Sequence, residues 1–512
     1  MNCLGKSLRT LTLLAVVPTI GLAQKAKVDK KRFNVLFVAV DDLKPDLGCY
    51  GNTLVKSPNI DALAKDGVVF ENNYCQQAVS AASRVSLFTG LRPDRTRVRD
   101  LVTDMRDQLP GVVTLPQYFM QNGYETVGFG KLMHGAKDND PVSWSIPYRE
   151  NDQLQYAAGF SYPVNGKYQG QHSRDEYNKV AGKKFNWSQM NNYLKKQDAA
   201  PATECLDVPD GAYCDGAIAQ AAIEQLDRLS KGDKPFFLAV GFEKPHLPFV
   251  APKKYWDLYD RNQIPLAPFQ QPALNAPEYA YHSWGELRNY SQMPAEGAVD
   301  TIQQRELIHG YYASMSYMDA QLGLVLNHLK KLKLDKNTIV VLWGDHGWHL
   351  GDHGLWCKHS NFEQAVRSPL IIKASKREKG KKAPTMSEFV DVYPTICDLA
   401  GLPIPQWLEG VSLTPVMDNH KAMVKEYAIS QFPRGKQIMG YSLRDKRYRL
   451  TVWLKGKFDD AELYLNPQIA GVELYDYVAD PLEKKSLAGE EDYQALVGQM
   501  QSKLFELLKK KD

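Results

Sequence analysis

Cysteine is scarce in this chain: seven in 512 residues, none in a Cys-x-x-Cys arrangement, which argues against a thiolate metal site. Long hydrophobic runs are missing as well. The apolar stretch Leu11–Val17 is too short to span a membrane. Charge of one sign is not in excess either. A formal charge of +4 gives no support for a nucleic-acid or membrane-surface role, so attraction to an acidic ligand must come from a local pocket. Repeats and low-complexity tracts are absent. What remains, 44% hydrophobic and 24% charged, is the composition of an ordinary globular protein, long enough for one large domain and a smaller one.

The first residues read as a signal peptide for export. Lys6 and Arg9 form a basic start, Leu11–Val17 an apolar core, and Gly21-Leu22-Ala23 a small-residue cleavage site before Gln24. Removing residues 1–23 takes both cations and no acid, leaving a charge of about +2. Cys3 precedes the apolar core, where a lipoprotein would need a cysteine just after it. Six cysteines then remain, and Cys205 with Cys214 is the pair close enough in sequence to suggest a disulfide; buried free thiols are the alternative.

Four near-continuous apolar runs read as strands buried on both faces, and each leads straight into polar residues. Asn34–Val40 runs into Asp41 and Asp42. Residues 125–129 lead to Lys131 and His134, residues 235–242 to Lys244 and His246, and residues 338–343 to Asp345 and His346. Helical patterns alternate with them. Residues 57–67 carry Ser57 as a cap, Pro58 in the first turn and Gly67 as a stop. Leu307, Tyr311, Met315, Met318, Leu322, Val325 and Leu329 mark one face of a long helix. Alternation of this kind predicts an α/β fold with a mostly parallel sheet, whose ligands bind beyond the carboxyl ends of the strands. The eight polar residues named above would meet at that edge.

After about residue 425 the pattern changes. Residues 441–453 read as a strand pair about a turn near Asp445-Lys446, residues 473–476 as a further strand, and residues 491–509 as a helix. The expected organisation is a catalytic domain over 24–424 and a small α+β domain over 425–512. The Pro-, Tyr- and Gln-rich segment between about 255 and 300 reads as long surface loops.

The sharpest motif is CQQAVSAASRVSLFTGLRPD, residues 75–94, with the core Ser80-Ala81-Ala82-Ser83-Arg84 followed by Thr89-Gly90. It resembles the modification motif of the type I sulfatases, in which Cys or Ser, any residue, Pro or Ala, any residue and Arg are followed by Thr-Gly. The likeness covers nearly the whole chain after residue 23 and points, within that family, to the iduronate 2-sulfatases. The blocks VDDLKPDLGCYG, SPNIDALA, GKLMH, EKPHLPF, GDHGWHLGDHGLWCKHSNFE, VDVYPTICDLAGLP and MGYSLRDKRYRLTVW carry it. Where human-type enzymes have Cys-Ala-Pro, this chain has Ser80-Ala81-Ala82, a bacterial variant matured by a separate radical enzyme.

The resemblance implies an alkaline-phosphatase-like fold with a large, mostly parallel mixed sheet flanked by helices. It implies a formylglycine made from Ser80 and an exported, periplasmic or secreted enzyme acting on a sulfated oligosaccharide. A hydrated aldehyde has two hydroxyls on one carbon: one attacks sulfur, and deprotonating the other reforms the carbonyl and expels sulfate. Ser80 also stands where a helix cap would, ahead of Ala81–Phe88, and a helix N-terminus favours an anion. Asp41, Asp42 and Asp345 have the oxygen ligands that suit a hard divalent cation, calcium before magnesium, with Ser80 beside it; by resemblance His346 completes the set.

Charge demands suggest the other roles. Lys131, Lys244 and Lys358 are cations to surround the sulfate, with Lys244 on the substrate side; Arg84 steadies the hydrate. His246 is the expected general acid for the leaving sugar oxygen, and His134 the group handling the second hydroxyl proton. His359 is a candidate substrate contact. His349 and His353 would lie one turn apart on a helix and could hold a second metal; the blander reading makes His349 a loop residue lining the pocket and His353 a structural one. The expected activity is removal of a 2-O-sulfate from a uronic acid of glycosaminoglycans. Sulfatase action on another carbohydrate position, a phosphomonoester or phosphodiester hydrolase with an unmodified nucleophile and two zinc ions, and a non-catalytic sulfated-glycan-binding protein are the alternatives.

Overall fold

Strand Asn34–Val40 (β1) is buried at every position, and its side chains alternate between two separate cores. Leu36, Val38 and Val40 face one, Val35, Phe37 and Ala39 the other, as the period of two requires of a strand covered on both sides. A computed structural model describes residues 32–134, 140–457, 460 and 463–510; the expected signal peptide lies outside the described residues.

Around β1 stand Val68–Tyr74 (β2), Glu125–Gly130 (β3), Phe236–Phe242 (β4), Thr338–Gly344 (β5), Leu370–Lys373 (β6) and Lys381–Glu388 (β7). The order across the sheet is β7-β2-β6-β5-β1-β4-β3. Only β6 runs against its neighbours, so the sheet is mixed and mostly parallel, in the alkaline-phosphatase-like manner. The four strands read from apolar runs are all present. β2 and β7 escaped that reading because VVFENNY and KKAPTMSE are half polar, and β7 is an edge strand carrying lysines and a proline.

Helices cover both faces. Pro58–Lys65 (α1), Cys214–Leu229 (α3) and the 31-residue Thr301–Lys331 (α4) pack on one core; Ser80–Thr89 (α2) packs on the other. The seven apolar residues expected along α4 are all buried, and Asp300 caps it by accepting from the N–H groups of Ile302 and Gln303. Ser57 holds the N-cap position without a side-chain capping bond, its hydroxyl accepting from Gly48 N–H instead, and Asp66 is the C-cap, with Gly67 N–H next bonding back to Ala64 O.

Near the chain's end Ala428–Arg434 (β8), Ile438–Arg444 (β9), Tyr448–Lys455 (β10) and Ile469–Asp476 (β11) form an antiparallel meander, against which Gln494–Lys509 (α5) packs through Val497, Met500 and Leu504. This small sheet grips two loops of the larger one. Ser430 Oγ donates to Cys75 O at 2.6 Å, and Gln431 N–H to Gln76 O at 2.7 Å. On the other loop, Arg449 Nη1 donates to Asn361 O at 2.8 Å and Asn361 Nδ2 to Gly440 O at 3.3 Å. The six cysteines after residue 23 are free thiols, Cys205 exposed and Cys214 buried, so no disulfide links that pair. No described helix is long and apolar enough to cross a membrane.

Candidate active site

The carboxyl ends of β1, β3, β4 and β5 deliver their polar residues to one edge, as parallel strands in register must. Asp41 follows β1, its N–H bonded to Phe242 O; Asp345 follows β5, its N–H bonded to Val40 O. Asp42 sits at φ 58°, a left-handed conformation that turns its N–H onto Asp345 Oδ1 at 2.9 Å. Tyr311 from α4 donates to Asp42 O at 2.6 Å and fixes the turn. Lys131 is held by its N–H on Gly241 O at 2.8 Å; a Cβ at Gly241 would meet Lys131 O at 2.2 Å, so β4 needs glycine there.

Ser80 opens α2 as its first helical residue, with Val79 in the capping position, so it is not a cap. Its Oγ lies 3.4 Å from Asp41 Oδ1 and 3.2 Å from His346 Nε2. One turn later Arg84, fully buried, divides its guanidinium between two carboxylates. Nη2 donates to Asp41 Oδ1 at 2.7 Å and Nε to Asp345 Oδ2 at 3.0 Å, while Nη1 reaches Lys131 O and Leu132 O. Burial works to raise Asp41, but Arg84, aided by Lys131, His246 and Lys358, outweighs it and holds that carboxyl well below the ordinary range. Asp42 goes the other way: burial pushes it up to about 6 against the pull of His246, Lys358 and His346.

Three buried carboxylates on one edge, Asp41, Asp42 and Asp345, are the donors a hard cation needs, and Asp42, Asp345 and His346 offer atoms mutually within 4.8 Å. His346 adds a nitrogen to this set: its Nδ1 faces Gly347 O at 2.9 Å, and its Nε2 lies 3.3 Å from Asp42 Oδ1 and 3.5 Å from Asp345 Oδ2. Carboxylate oxygens and an imidazole nitrogen converging this closely are donors that fit a divalent metal.

Lys358 Nζ lies 3.1 Å from Asp42 Oδ1 and 3.0 Å from Glu286 Oε1, above the ring of Trp348. His246 has acceptors on both sides: Nδ1 meets Leu247 O at 2.6 Å and Nε2 meets Glu286 Oε1 at 3.1 Å. Both ring nitrogens thus face acceptors, an arrangement that favours the imidazolium. Burial opposes that charge, but Asp42, Asp41 and Glu286 raise the ring's pKa despite it. Lys131 Nζ lies 3.1 Å from His134 Nδ1 and, with burial, pushes that imidazole down to about 2, leaving it a neutral acceptor.

Other residues stand elsewhere than the sequence suggests. Lys244 donates its ammonium to His246 O (2.8 Å) and Pro248 O (3.0 Å), bracing the loop that carries the imidazolium. His359 lies between His282 and Phe432, half-buried, and burial lowers it to about 3. His349 and His353 do not share a helix. His349 is in a short strand, fully buried, bonded to Ser360 Oγ; His353 stacks on Phe362. Neither belongs to a metal-competent cluster among the described residues. Glu286 was not legible in the sequence: it comes from the 255–300 segment, which is irregular but not merely superficial, since Trp284, Leu287 and Tyr290 are buried.

The Sulfatase family model matches residues 33–402. The chain belongs to the sulfatase family. A second model, N-sulphoglucosamine sulphohydrolase, C-terminal, matches residues 351–510 of this sulfatase. It is 34% identical to iduronate 2-sulfatase of Mus musculus, over 91% of this chain and 92% of that protein. To iduronate 2-sulfatase of Homo sapiens it is 33% identical, over 93% and 95%. A solved structure described as BT4656 in complex with its substrate D-glucosamine-2-N,6-O-disulfate superposes with a TM-score of 0.69 at 21% identity, covering 94% of this sulfatase and 99% of that chain. The last comparison concerns the fold; the Sulfatase family model and the two relatives make this sulfatase a hydrolase of sulfate esters.

Proposed function

We propose that this sulfatase removes the 2-O-sulfate from uronic acid residues of glycosaminoglycan fragments, after export and after conversion of Ser80 to formylglycine by a radical maturation enzyme. The observation that carries the reading is Ser80 Oγ at 3.4 Å from Asp41 and 3.2 Å from His346, in the first turn of a helix whose Arg84 binds two of the site's carboxylates. Likeness to iduronate 2-sulfatases over nine-tenths of the chain supports the substrate class.

Each side chain has a task in that reading. Asp41, Asp42, Asp345 and His346 would hold a divalent cation, calcium by the oxygen-rich donor set and the exported setting. When bound, that ion supplies Lewis acidity toward the sulfate oxygens and the side chain at position 80. Arg84 fixes the carboxylates around that side chain. Lys131 and Lys358 face the negative charge that grows on the ester. His246 protonates the leaving sugar oxygen from Nε2, and neutral His134 accepts the proton released at position 80.

The test is peptide mass spectrometry across residue 80, paired with desulfation of defined 2-O-, 4-O- and 6-O-sulfated disaccharides. The reading expects a mass about 2 Da below that of serine, the loss of two hydrogens on oxidation to the aldehyde, and turnover of the 2-O-sulfated uronate first. Full activity with an intact serine would overturn the mechanism, and preference for a 4-O- or 6-O-sulfate the specificity.

A further inference from the structure

The proposed proton donor, His246, stands on the irregular turn of residues 243–248, between β4 and the short strand Phe249–Pro252. The turn closes on itself through His246 N–H and Glu243 O at 2.9 Å. Side chains hold its two ends. At the far end the Lys244 ammonium ties His246 O and Pro248 O together, at 2.8 and 3.0 Å. At the near end stands Asp215, a buried carboxylate with no task in the mechanism so far.

Asp215 is the second residue of α3. Its Oδ1 accepts from Glu243 N–H at 2.8 Å and its Oδ2 from Lys244 N–H at 3.1 Å. One carboxylate thus seizes two successive peptides where β4 gives way to the turn. That takes two acceptor oxygens. An asparagine could accept one N–H and would meet the other with its own NH2 group. The start of α3 is itself fixed to α4: Gly216 N–H donates to Tyr317 OH at 2.7 Å, and Tyr317 OH donates to Asp210 O at 2.7 Å.

An acid in the first turn of a helix is favoured by the helix dipole. An exposed one would gain that benefit without desolvation. Here burial works against the N–H of Glu243 and pushes the carboxyl up to about 7. A carboxyl raised by folding costs stability once it ionises, so stability does not account for Asp215. Position does. Glu286 faces the His246 ring at Nε2, and Asp215 holds the peptides from which that ring is carried.

We propose that Asp215 is a positioning residue for proton transfer: by holding the N–H groups of Glu243 and Lys244, it keeps the His246 imidazole within reach of the leaving sugar oxygen. The assignment rests on the proposed role of His246 as general acid, and the test tells the two apart.

The experiment compares the mature enzyme with its Asp215→Asn, Asp215→Ser and His246→Gln variants. Asp215→Ser is small and accepts one N–H, which keeps the test open where the amide is not tolerated. Each protein is assayed on para-nitrophenyl sulfate, whose leaving group departs without a proton, and on a sulfated sugar that the unaltered enzyme turns over. Both Asp215 variants should lower kcat on the sugar by about tenfold, part of what a general acid contributes, with KM moved by less than about twofold. On the aryl sulfate their kcat should stay within about threefold of the parent. Equal losses on the two substrates, no loss on either, or failure of both variants to fold makes Asp215 a structural carboxylate and overturns the proposal. His246→Gln separates the levels. If it spares the aryl sulfate and the Asp215 variants do not, the proposal for Asp215 falls alone. If His246→Gln loses both substrates alike, the general-acid reading falls and takes the role of Asp215 with it.

Discussion

Glu286 Oε1 lies 3.1 Å from His246 Nε2, and the same oxygen lies 3.0 Å from Lys358 Nζ. One carboxylate from the short helix Gly285–Arg288 thereby aligns a histidine and a cation from two different strand ends. Glu286→Gln should lower kcat on a sugar sulfate by about 10–100-fold, part of what a general acid contributes. On para-nitrophenyl sulfate, whose leaving group departs without a proton, the loss should stay within about threefold. Steady-state rates on the two substrates decide the point, and equal losses would remove Glu286 from the proton step.

Arg84 is the keystone of the carboxylate cluster. Arg84→Met leaves Asp41 and Asp345 buried without their partner, and breaking such a pair costs about 3–5 kcal/mol. Arg84→Lys keeps the charge and loses the fork that reaches both acids. Calorimetric melting should place both variants below the parent, Met lowest, with neither recovering full activity when calcium is supplied.

Chelation gives an independent reading of the metal set. Treatment with a strong chelator should abolish turnover and lower the melting temperature, because an ion bound only by the folded chain stabilises it by mass action. Calcium should restore both properties at lower concentration than magnesium. Asp345→Asn should blunt the calcium-dependent rise in melting temperature, and an unaltered rise would place the ion elsewhere.

The acid limit of stability should be set partly outside the site. Glu363 accepts from Arg449 and from Tyr74 OH at 3.0 Å, with Arg444 at 3.4 Å. Burial alone would raise its pKa, but Arg444, Arg449 and Arg367 outweigh it and bring it down to about 2. A depressed carboxyl contributes its stability in full above its unfolded pKa of about 4.3 and loses it as pH falls through about 2, here about 3 kcal/mol. Glu363→Gln should flatten the melting curve against pH across that window and lower it at neutral pH. Glu483, beside the same Arg449, has the opposite sign: burial pushes it up to about 7, so its contribution fades as pH rises toward that value.

The polar edge of the sheet was legible because each strand there announces itself twice, once as an apolar run and once as the charged residues that end it. Asp41, Asp42, Lys131, His246, Asp345 and His346 needed only the rule that parallel strands discharge at one edge. Glu286 carries no such mark. It reaches its neighbours from a four-residue helix, too short for a periodic signal, placed by the burial of Trp284, Leu287 and Tyr290. Spacing also gives a residue's position along the chain and not the direction of its side chain: the Lys244 ammonium donates to two backbone carbonyls. The histidines at 349 and 353 show the limit of helical spacing where Gly351 and Gly354, both at positive φ, break the chain into short strands.

The grip of the small antiparallel sheet on Cys75-Gln76 and on Asn361 reaches the chain five residues before Ser80 and three after Lys358. Both flanks of the reacting centre are therefore moored to a part of the molecule that holds none of the assigned reacting groups. A chain shortened ahead of Ala428 would keep every assigned reacting side chain and lose the moorings. Loosening β9 or β10 from within should reach an assay as failed turnover, with the chemistry intact on paper and the anchorage gone.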